Sequence, residues 1–204
     1  MTPETASANY RSTELPPIDP LLRPEGSGAP WAPWASSAMA LVALCLAPVV
    51  VAGLARTPRA EHEMSPEVAV ALGGLSLLGV AYWVILAVWR HRAWATLASV
   101  CRRAASGRPV TPAQAVGYHF VPLYNIVWGF IEPMALAEAY NAVLVQTGSA
   151  RRVGKTLPVL MGVTSVFGLY GLLLSVPTQI AWMFVVGQAQ REYLARTRDL
   201  AAPR

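Results

Sequence analysis

The fold is decided by residues 34–55 (WASSAMALVALCLAPVVVAGLA) and residues 68–89 (VAVALGGLSLLGVAYWVILAVW). Neither stretch contains Asp, Glu, Lys, Arg or His. Because an α-helix rises about 1.5 Å per residue, each would be about 33 Å long, which matches a bilayer hydrocarbon core of about 30 Å. Buried helices of soluble proteins seldom stay uncharged over this length. Both stretches therefore predict membrane-spanning helices.

The composition of the whole chain agrees with a membrane protein. Charged residues make up 13% of the 204 residues, where soluble domains contain about 25%. The net charge is +5, and the basic residues form short clusters beside apolar runs, as cytoplasmic loops of membrane proteins do. A nucleic-acid-binding face would instead spread its basic residues over a soluble surface. We therefore expect the lipid bilayer as a partner and no nucleic acid.

The two ends of the chain differ in composition from its middle. Residues 1–33 contain seven prolines and few apolar residues, which is typical of disordered segments. Residues 196–204 are also predicted to be disordered. The remaining residues, 34–195, are predicted to form one all-α membrane domain.

Local signals set the predicted boundaries of the second span. Ser65, Pro66 and Glu67 supply an N-cap, a first-turn proline and an acidic residue near the positive end of the helix dipole. The span is predicted over residues 66–89, and its continuation over residues 90–105 is predicted to be an amphipathic helix lying at the membrane interface.

Residues 112–145 are predicted to form a broken, re-entrant or interfacial segment. Thr111 and Gln114 offer a capping box for a helix that begins at residue 112. Pro122 should break that helix, because proline lacks a backbone donor and clashes with the carbonyl four residues earlier, that of Tyr118.

Two polar residues follow the predicted break. Asn125 and Glu132 are seven residues apart and would share one face of a resumed helix, and Asn125 is placed to bond the freed carbonyl of Tyr118. Pro133 is predicted to cause a second break. A broken helix with an amide and a carboxylate on one side is how many transporters build a polar site, so Asn125 and Glu132 form the candidate site.

The distribution of basic residues distinguishes between two topologies. The basic loop at residues 90–112 is predicted to be cytoplasmic. If residues 112–145 cross the membrane and residues 156–190 form one span, 11 Lys and Arg lie inside and 5 outside. If the first segment returns and the second is a hairpin, 14 lie inside and 2 outside.

The second arrangement is favoured, although both remain open at this stage. It predicts four transmembrane helices, with the last two at residues 156–173 and 176–195 and a turn between Gly171 and Pro177. Both termini would then be cytoplasmic.

Residues 112–128, PAQAVGYHFVPLYNIVW, carry a resemblance. They resemble a signature, Pro-x-x-Ala-Val-Gly-aromatic-x-Phe-aliphatic-Pro-x-x-Asn-x-x-Trp, of a group of uncharacterised bacterial multi-span membrane proteins catalogued as a domain of unknown function. The resemblance implies the hairpin topology and a bacterial inner membrane. It carries no activity with it.

The sequence offers no catalytic, cofactor-binding or metal-binding constellation, since its three histidines lie in separate segments without a partner at a recognisable spacing. We therefore expect a non-enzymatic scaffold or accessory subunit, with a protein partner bound through the N-terminal tail or residues 90–112. The alternative is a small transporter or channel-like subunit that uses the broken helix around Pro122 with Asn125 and Glu132.

Overall fold

The computed structural model describes residues 23–26, 29–56, 66–103, 107–166 and 168–201. Within these ranges the chain is helical and contains no strand, which confirms the all-α prediction. Its helices are α1 (Ala32–Arg56), α2 (Pro66–Thr96), α3 (Pro112–Gly117), α4 (Tyr124–Gln146), α5 (Thr156–Val166) and α6 (Gly168–Ala201). Two short 3₁₀ turns, Ser99–Cys101 and Tyr118–Phe120, lie before α3 and after it. Most of the predicted N-terminal tail, residues 1–22, lies outside the described residues.

Among the described residues, α1 and α2 are the two helices that are long and apolar enough to cross a membrane. In their most apolar windows only 12% and 11% of the residues are buried inside the protein. The exposed side chains are large and apolar, as at Leu44, Val70 and Leu77. The prediction of membrane-spanning helices is therefore supported for these two segments, and four spans are not established.

Helix α2 changes character along its length. Its first turns expose apolar side chains, whereas Leu86, Ala93 and Trp94 near its C-terminal end are buried. Trp94 is fully buried in a cluster that includes Tyr140 of α4 and Tyr193 of α6. The hydrophobic core of the protein therefore surrounds the C-terminal end of α2.

The predicted interfacial helix over residues 90–105 does not form as a separate element. Helix α2 continues to Thr96 and is followed by the 3₁₀ turn, because Trp94 and Leu97 are buried by protein and need no lipid surface. The Arg102 side chain then donates to the carbonyls of Trp94, Ala95 and Leu97 at 2.9 to 3.0 Å. A cation bonded to the last carbonyls of a helix stabilises its C-terminal end.

The last part of the predicted disordered tail is attached to this same end of α2. The Glu25 carboxylate accepts hydrogen bonds from the Ser99 backbone N–H and from Arg102, both at 2.8 Å, and Ala29 is buried in the core. The prediction of disorder is therefore wrong for residues 23–26 and 29–33. It is also wrong for residues 196–201, which continue α6.

The predicted turn between Gly171 and Pro177 is placed wrongly. Helix α5 ends at Val166, α6 begins at Gly168, and Pro177 lies inside α6. Proline costs α6 one backbone hydrogen bond, and its packing along α1, α2, α4 and α5 keeps the helix continuous. With 11 residues, α5 is about 16 Å long and shorter than the predicted span at residues 156–173.

Candidate functional site

Helix α3 begins where the sequence predicted. The Thr111 hydroxyl accepts a hydrogen bond from the Gln114 backbone N–H at 3.2 Å, and the Gln114 side chain accepts one from the Thr111 backbone N–H at 2.9 Å. This reciprocal pair is a capping box, which satisfies two backbone donors that would otherwise be unpaired at the helix start. The short helix then tightens into the turn Tyr118–Phe120.

The helix is interrupted at Pro122. Val121 is extended, with φ −87° and ψ 116°, as residues before proline usually are. Leu123 has φ 63° and ψ −42°, and the Tyr124 N–H donates to the Pro122 carbonyl at 2.7 Å. These values describe a γ-turn of the strained kind centred on Leu123, after which α4 begins at Tyr124.

The chain folds back on itself after this turn. The Trp128 indole N–H donates to the Ala115 carbonyl at 3.0 Å, and the Tyr118 ring packs edge-on against the rings of Tyr124 and Trp128 at 5.1 and 5.0 Å. The start of α4 therefore lies beside α3. The turn itself exposes apolar side chains, most of all Leu123, which is 82% exposed.

The Glu132 carboxylate lies at the centre of a buried polar cluster. Its Oε1 accepts a hydrogen bond from the Trp94 indole N–H at 2.8 Å. Its Oε2 lies 3.6 Å from Arg90 Nε and 3.9 Å from His119 Nε2. Glu132 is 1% exposed and Arg90 is 4% exposed, so this is an ion pair removed from solvent.

Asn125 joins the cluster through His119. The Asn125 amide oxygen lies 3.1 Å from His119 Nδ1, which brings the two predicted site residues into one network. The expected bond from Asn125 to the Tyr118 carbonyl is not formed, because that carbonyl accepts from the backbone N–H of Val121 at 3.4 Å. Five residues form the Glu132 cluster: Arg90, Trp94, His119, Asn125 and Glu132.

The second predicted break, at Pro133, does not occur. Helix α4 runs without interruption from Tyr124 to Gln146, and Pro133 is buried inside it. A proline within a helix removes one hydrogen bond, but buried neighbours such as Ala135 and Leu136 pack this part of α4 into the core, which holds the helix together.

Sequence reasoning missed three members of the cluster. Arg90 and Trp94 belong to the predicted interfacial helix over residues 90–105, and His119 has no partner at a recognisable spacing in the sequence. Arg90 and Glu132 lie far apart in the sequence, on different helices, so no local spacing connects them. The one signal in the sequence is the Glu132 carboxylate, because a charged side chain in an apolar helix needs a partner of opposite charge or a hydrogen-bond donor.

The Glu132 cluster consists of charged and hydrogen-bonding side chains. It contains a carboxylate, a guanidinium, an imidazole and an amide, and no hydroxyl or thiol nucleophile. Within the described ranges no group of three or more His, Cys, Asp or Glu could hold a metal ion. In the same part of the chain, three buried polar atoms of the cluster have no hydrogen-bond partner: Arg90 Nε, His119 Nε2 and Glu132 Oε2.

A surface groove lies between α2 and α3, separate from the cluster residues. It encloses about 570 Å³ and is lined by small and apolar residues together with His91 and Arg92. None of the five residues of the Glu132 cluster lines it. The buried carboxylate therefore does not open into this groove.

No protein-family model, curated protein or solved structure matches this chain. The resemblance of residues 112–128 to a bacterial membrane-protein group stays a prediction. Function therefore has to be inferred from the residues themselves.

Proposed function

We propose that this chain is a non-enzymatic, multi-pass protein of a bacterial inner membrane, acting as a scaffold or accessory subunit that binds a protein partner at its cytoplasmic end. The observation that carries the proposal is the division of α2 into an exposed apolar part and a buried end. Val70, Leu77 and Val80 are 75%, 73% and 63% exposed, whereas Trp94 is fully buried.

The exposed part has the length of a bilayer. From Pro66 to Leu86, the helix extends about 30 Å, which equals the hydrocarbon thickness. Soluble monomers rarely expose contiguous apolar patches larger than a few hundred Å², and α1 packs beside α2 with a similarly exposed apolar surface. A lipid bilayer would cover this apolar surface and remove it from water.

The distribution of charge supports a cytoplasmic location for the core end. Exposed basic residues lie at and after the buried end of α2, after the C-terminal end of α4, and within the last turns of α6. They include Arg92, Arg103, Arg108, Arg151, Arg152, Arg191 and Arg196. Loops rich in Lys and Arg stay in the cytoplasm, so both termini would lie on that side.

The short lengths of α3 and α5 favour re-entrant segments over further membrane spans. Helix α3 with its 3₁₀ turn contains nine residues and extends about 15 Å. Helix α5 is of similar length, and neither reaches across a hydrocarbon core of about 30 Å. The apolar tip around Leu123 fits insertion into one leaflet, where its irregular backbone needs cover from protein. The proposed topology therefore has two full spans and two re-entrant hairpins.

The Glu132 cluster supports a structural role. The carboxylate is bonded to Trp94 and paired with Arg90, both on α2, and thereby ties α4 to α2. A carboxylate engaged in this way, with no link to the groove, holds helices in position. The proposed docking surface consists of the N-terminal tail and the exposed basic residues of segment 90–112, which are Arg92, Arg103 and Arg108.

Topology can be tested by single-cysteine labelling. In a chain with Cys45→Ala and Cys101→Ala, we expect an impermeant maleimide to label Ala60→Cys from the periplasmic side, and Ala150→Cys and Ala202→Cys only in inverted vesicles. Labelling of Ala150→Cys from the periplasm would show that α4 crosses the membrane and would overturn the re-entrant arrangement.

Partner binding can be tested by site-specific photocrosslinking in native membranes. A crosslinker at Arg108 should capture one defined protein, and the adduct should disappear when residues 1–22 are deleted or when Arg103→Glu is introduced. The same crosslinker at Leu77 is the control, since it faces the proposed lipid. Equal capture at both positions, or none at Arg108, would contradict a cytoplasmic docking surface.

A second candidate function, a small transporter or channel-like subunit, is favoured by one observation. Among the described residues, Arg90 Nε, His119 Nε2 and Glu132 Oε2 are buried without a hydrogen-bond partner close to the helix break at Pro122, as polar sites of transporters often are. In reconstituted vesicles Glu132→Gln and Asn125→Ala should then abolish a proton flux, while Glu138→Gln on the exposed side of α4 should not. Unchanged flux in both cluster variants would exclude this function.

A further inference from the structure

Three polar atoms of the Glu132 cluster face one another without bonding. Glu132 Oε2 lies 3.6 Å from Arg90 Nε and 3.9 Å from His119 Nε2, and both separations exceed the usual length of a hydrogen bond. All three side chains are at least nine-tenths buried, and all three atoms lack a hydrogen-bond partner among the residues that the structure describes. Buried polar groups in proteins are almost always hydrogen-bonded, so these three atoms together offer a binding site for a small hydrogen-bonding species.

The protonation of His119 follows from its contact with Asn125. The Asn125 atom that faces the ring is its amide oxygen, 3.1 Å from Nδ1, and an amide oxygen can only accept. Nδ1 therefore carries the proton. A second proton on Nε2 would bury another positive charge beside Arg90, which is unfavourable, so Nε2 is an acceptor.

The two acceptors therefore cannot bond directly. Glu132 Oε2 and His119 Nε2 both need a donor, whereas Arg90 Nε needs an acceptor. A small species with two donor hydrogens and one lone pair, lying beside these atoms at about 2.8 Å from each, satisfies all three. An anion would be repelled by Glu132 and a metal cation by Arg90.

We propose that the Glu132 cluster binds one internal water molecule. The water donates one hydrogen to Glu132 Oε2 and the other to His119 Nε2, and it accepts the Nε hydrogen of Arg90. Buried waters typically make about three such bonds to otherwise unpaired groups. The water extends the network from Trp94 on α2, through Glu132 and His119, to Asn125 at the start of α4, so the site joins both sides of the helix break.

Solid-state NMR of the full chain in lipid bilayers tests the water site. With ¹⁵N-labelled histidine, the His119 signals are assigned by their loss in His119→Gln. We expect a neutral ring with Nδ1 protonated and Nε2 unprotonated, and magnetisation transfer from a bound water to Nε2. His91 is exposed on α2. Its signals serve as the internal reference for an exposed histidine ring, against which the buried His119 ring is compared.

Variants at Asn125 separate the water site from a general packing role. Asn125→Asp keeps an acceptor oxygen and should preserve the Nδ1-protonated ring, whereas Asn125→Leu removes it and should yield a mixture of tautomers. A His119 ring protonated at Nε2, which would donate directly to Glu132, would overturn the proposal. So would the absence of water transfer to Nε2 in the natural chain.

Discussion

At the scale of single residues, Glu132 connects more of the molecule than any other polar side chain in the cluster. It bonds Trp94, pairs with Arg90 and faces His119. Such a pair is not in itself evidence of high stability, because removing two charges from water costs about as much as their attraction returns. Its importance lies in what happens when one partner is removed.

Glu132→Gln is expected to lower the free energy of unfolding by about 3–5 kcal/mol, because it leaves the Arg90 guanidinium buried without a counter-charge. Equilibrium unfolding in detergent micelles, followed by tryptophan fluorescence, measures this loss. Combining Arg90→Met with Glu132→Leu should recover most of it, since a buried ion pair can often be replaced by apolar residues of similar volume.

Glu138→Gln is the matched control on the same helix. Glu138 pairs with Lys155 at 2.7 Å, and both side chains are about half exposed. Exposed pairs contribute about 0–1 kcal/mol, so this variant should unfold almost as the natural chain does. Equal losses for the two glutamate variants would refute the distinction between a buried and an exposed pair.

The sequence predicted part of this site. Asn125 and Glu132 were identified from their helical spacing after Pro122, which is a local signal. Arg90 was not, because an arginine at the end of an apolar run has two readings, a membrane-surface anchor or a buried partner of a distant carboxylate. Only the packing of α2 against α4 distinguishes between them.

At the scale of helices, the end of α2 is held by the chain that precedes α1. The hydrogen bond from the Ser99 backbone N–H lowers the pKa of Glu25 from its ordinary value of 4.5. Desolvation opposes this effect, and the nearby Arg102 guanidinium adds a smaller lowering. A carboxyl whose pKa is lowered on folding stabilises the folded state above its unfolded pKa. This stabilisation is lost as the pH falls through the lowered value.

We therefore expect the segment around Glu25 to stay attached to α2 at neutral pH and to detach in acid, as the pH falls from the ordinary carboxyl pKa of 4.5 through the lowered value. Spin labels at Arg23→Cys and Arg108→Cys, in a chain without its natural cysteines, measure this separation. Glu25→Gln cannot titrate, so its label distance should not change with pH. A distance change of the same size in Glu25→Gln would assign the transition to other groups.

The contact between α4 and α5 depends on a glycine. A Cβ placed at Gly162 would overlap the ring of Phe130, so Gly162→Ala must displace a rigid aromatic side chain. We expect it to lower the free energy of unfolding by about 1–3 kcal/mol, as overpacking of a core does. The same micelle unfolding assay measures the effect.

Gly187→Ala provides the matched comparison. Gly187 lies inside α6 with no atom within 4 Å of its added Cβ, so alanine should stabilise the helix by about 0.5–1 kcal/mol through its higher helix propensity. Opposite signs for the two substitutions are expected. If Gly162→Ala also stabilised the protein, the close approach of α4 and α5 would not exist in the membrane.

Elements with strong local signals were predicted well, and those set by packing were not. The capping box at Thr111 and the extended conformation at Val121 follow from side chains within a few residues. The start of α6 does not, because Gly171 and Pro177 suit a turn or a packed helix equally. Contacts of α6 with four other helices decide the outcome.

At the scale of the whole molecule, the apolar runs predicted the helical class but not the position of the core. An apolar side chain on α2 is equally well removed from water by lipid or by protein. Val70 and Trp94 belong to the same continuous helix, yet one is 75% exposed and the other fully buried. That difference arises from α4 and α6, which contribute to the core around the C-terminal end of α2.

The two short arms have a further consequence for the surrounding bilayer. Suppose that α3 and α5 each extend about 15 Å into the bilayer from the cytoplasmic side. Together with the parts of α4 and α6 beside them, they then displace lipid in that leaflet, while only α1 and α2 occupy the other leaflet. The protein would then be wedge-shaped, and it should be enriched on narrow membrane tubules over flat bilayers when its cytoplasmic leaflet faces outward. Fluorescence of the labelled chain along tubules of graded diameter measures this sorting. An even distribution over all diameters would indicate equal cross-sections in both leaflets.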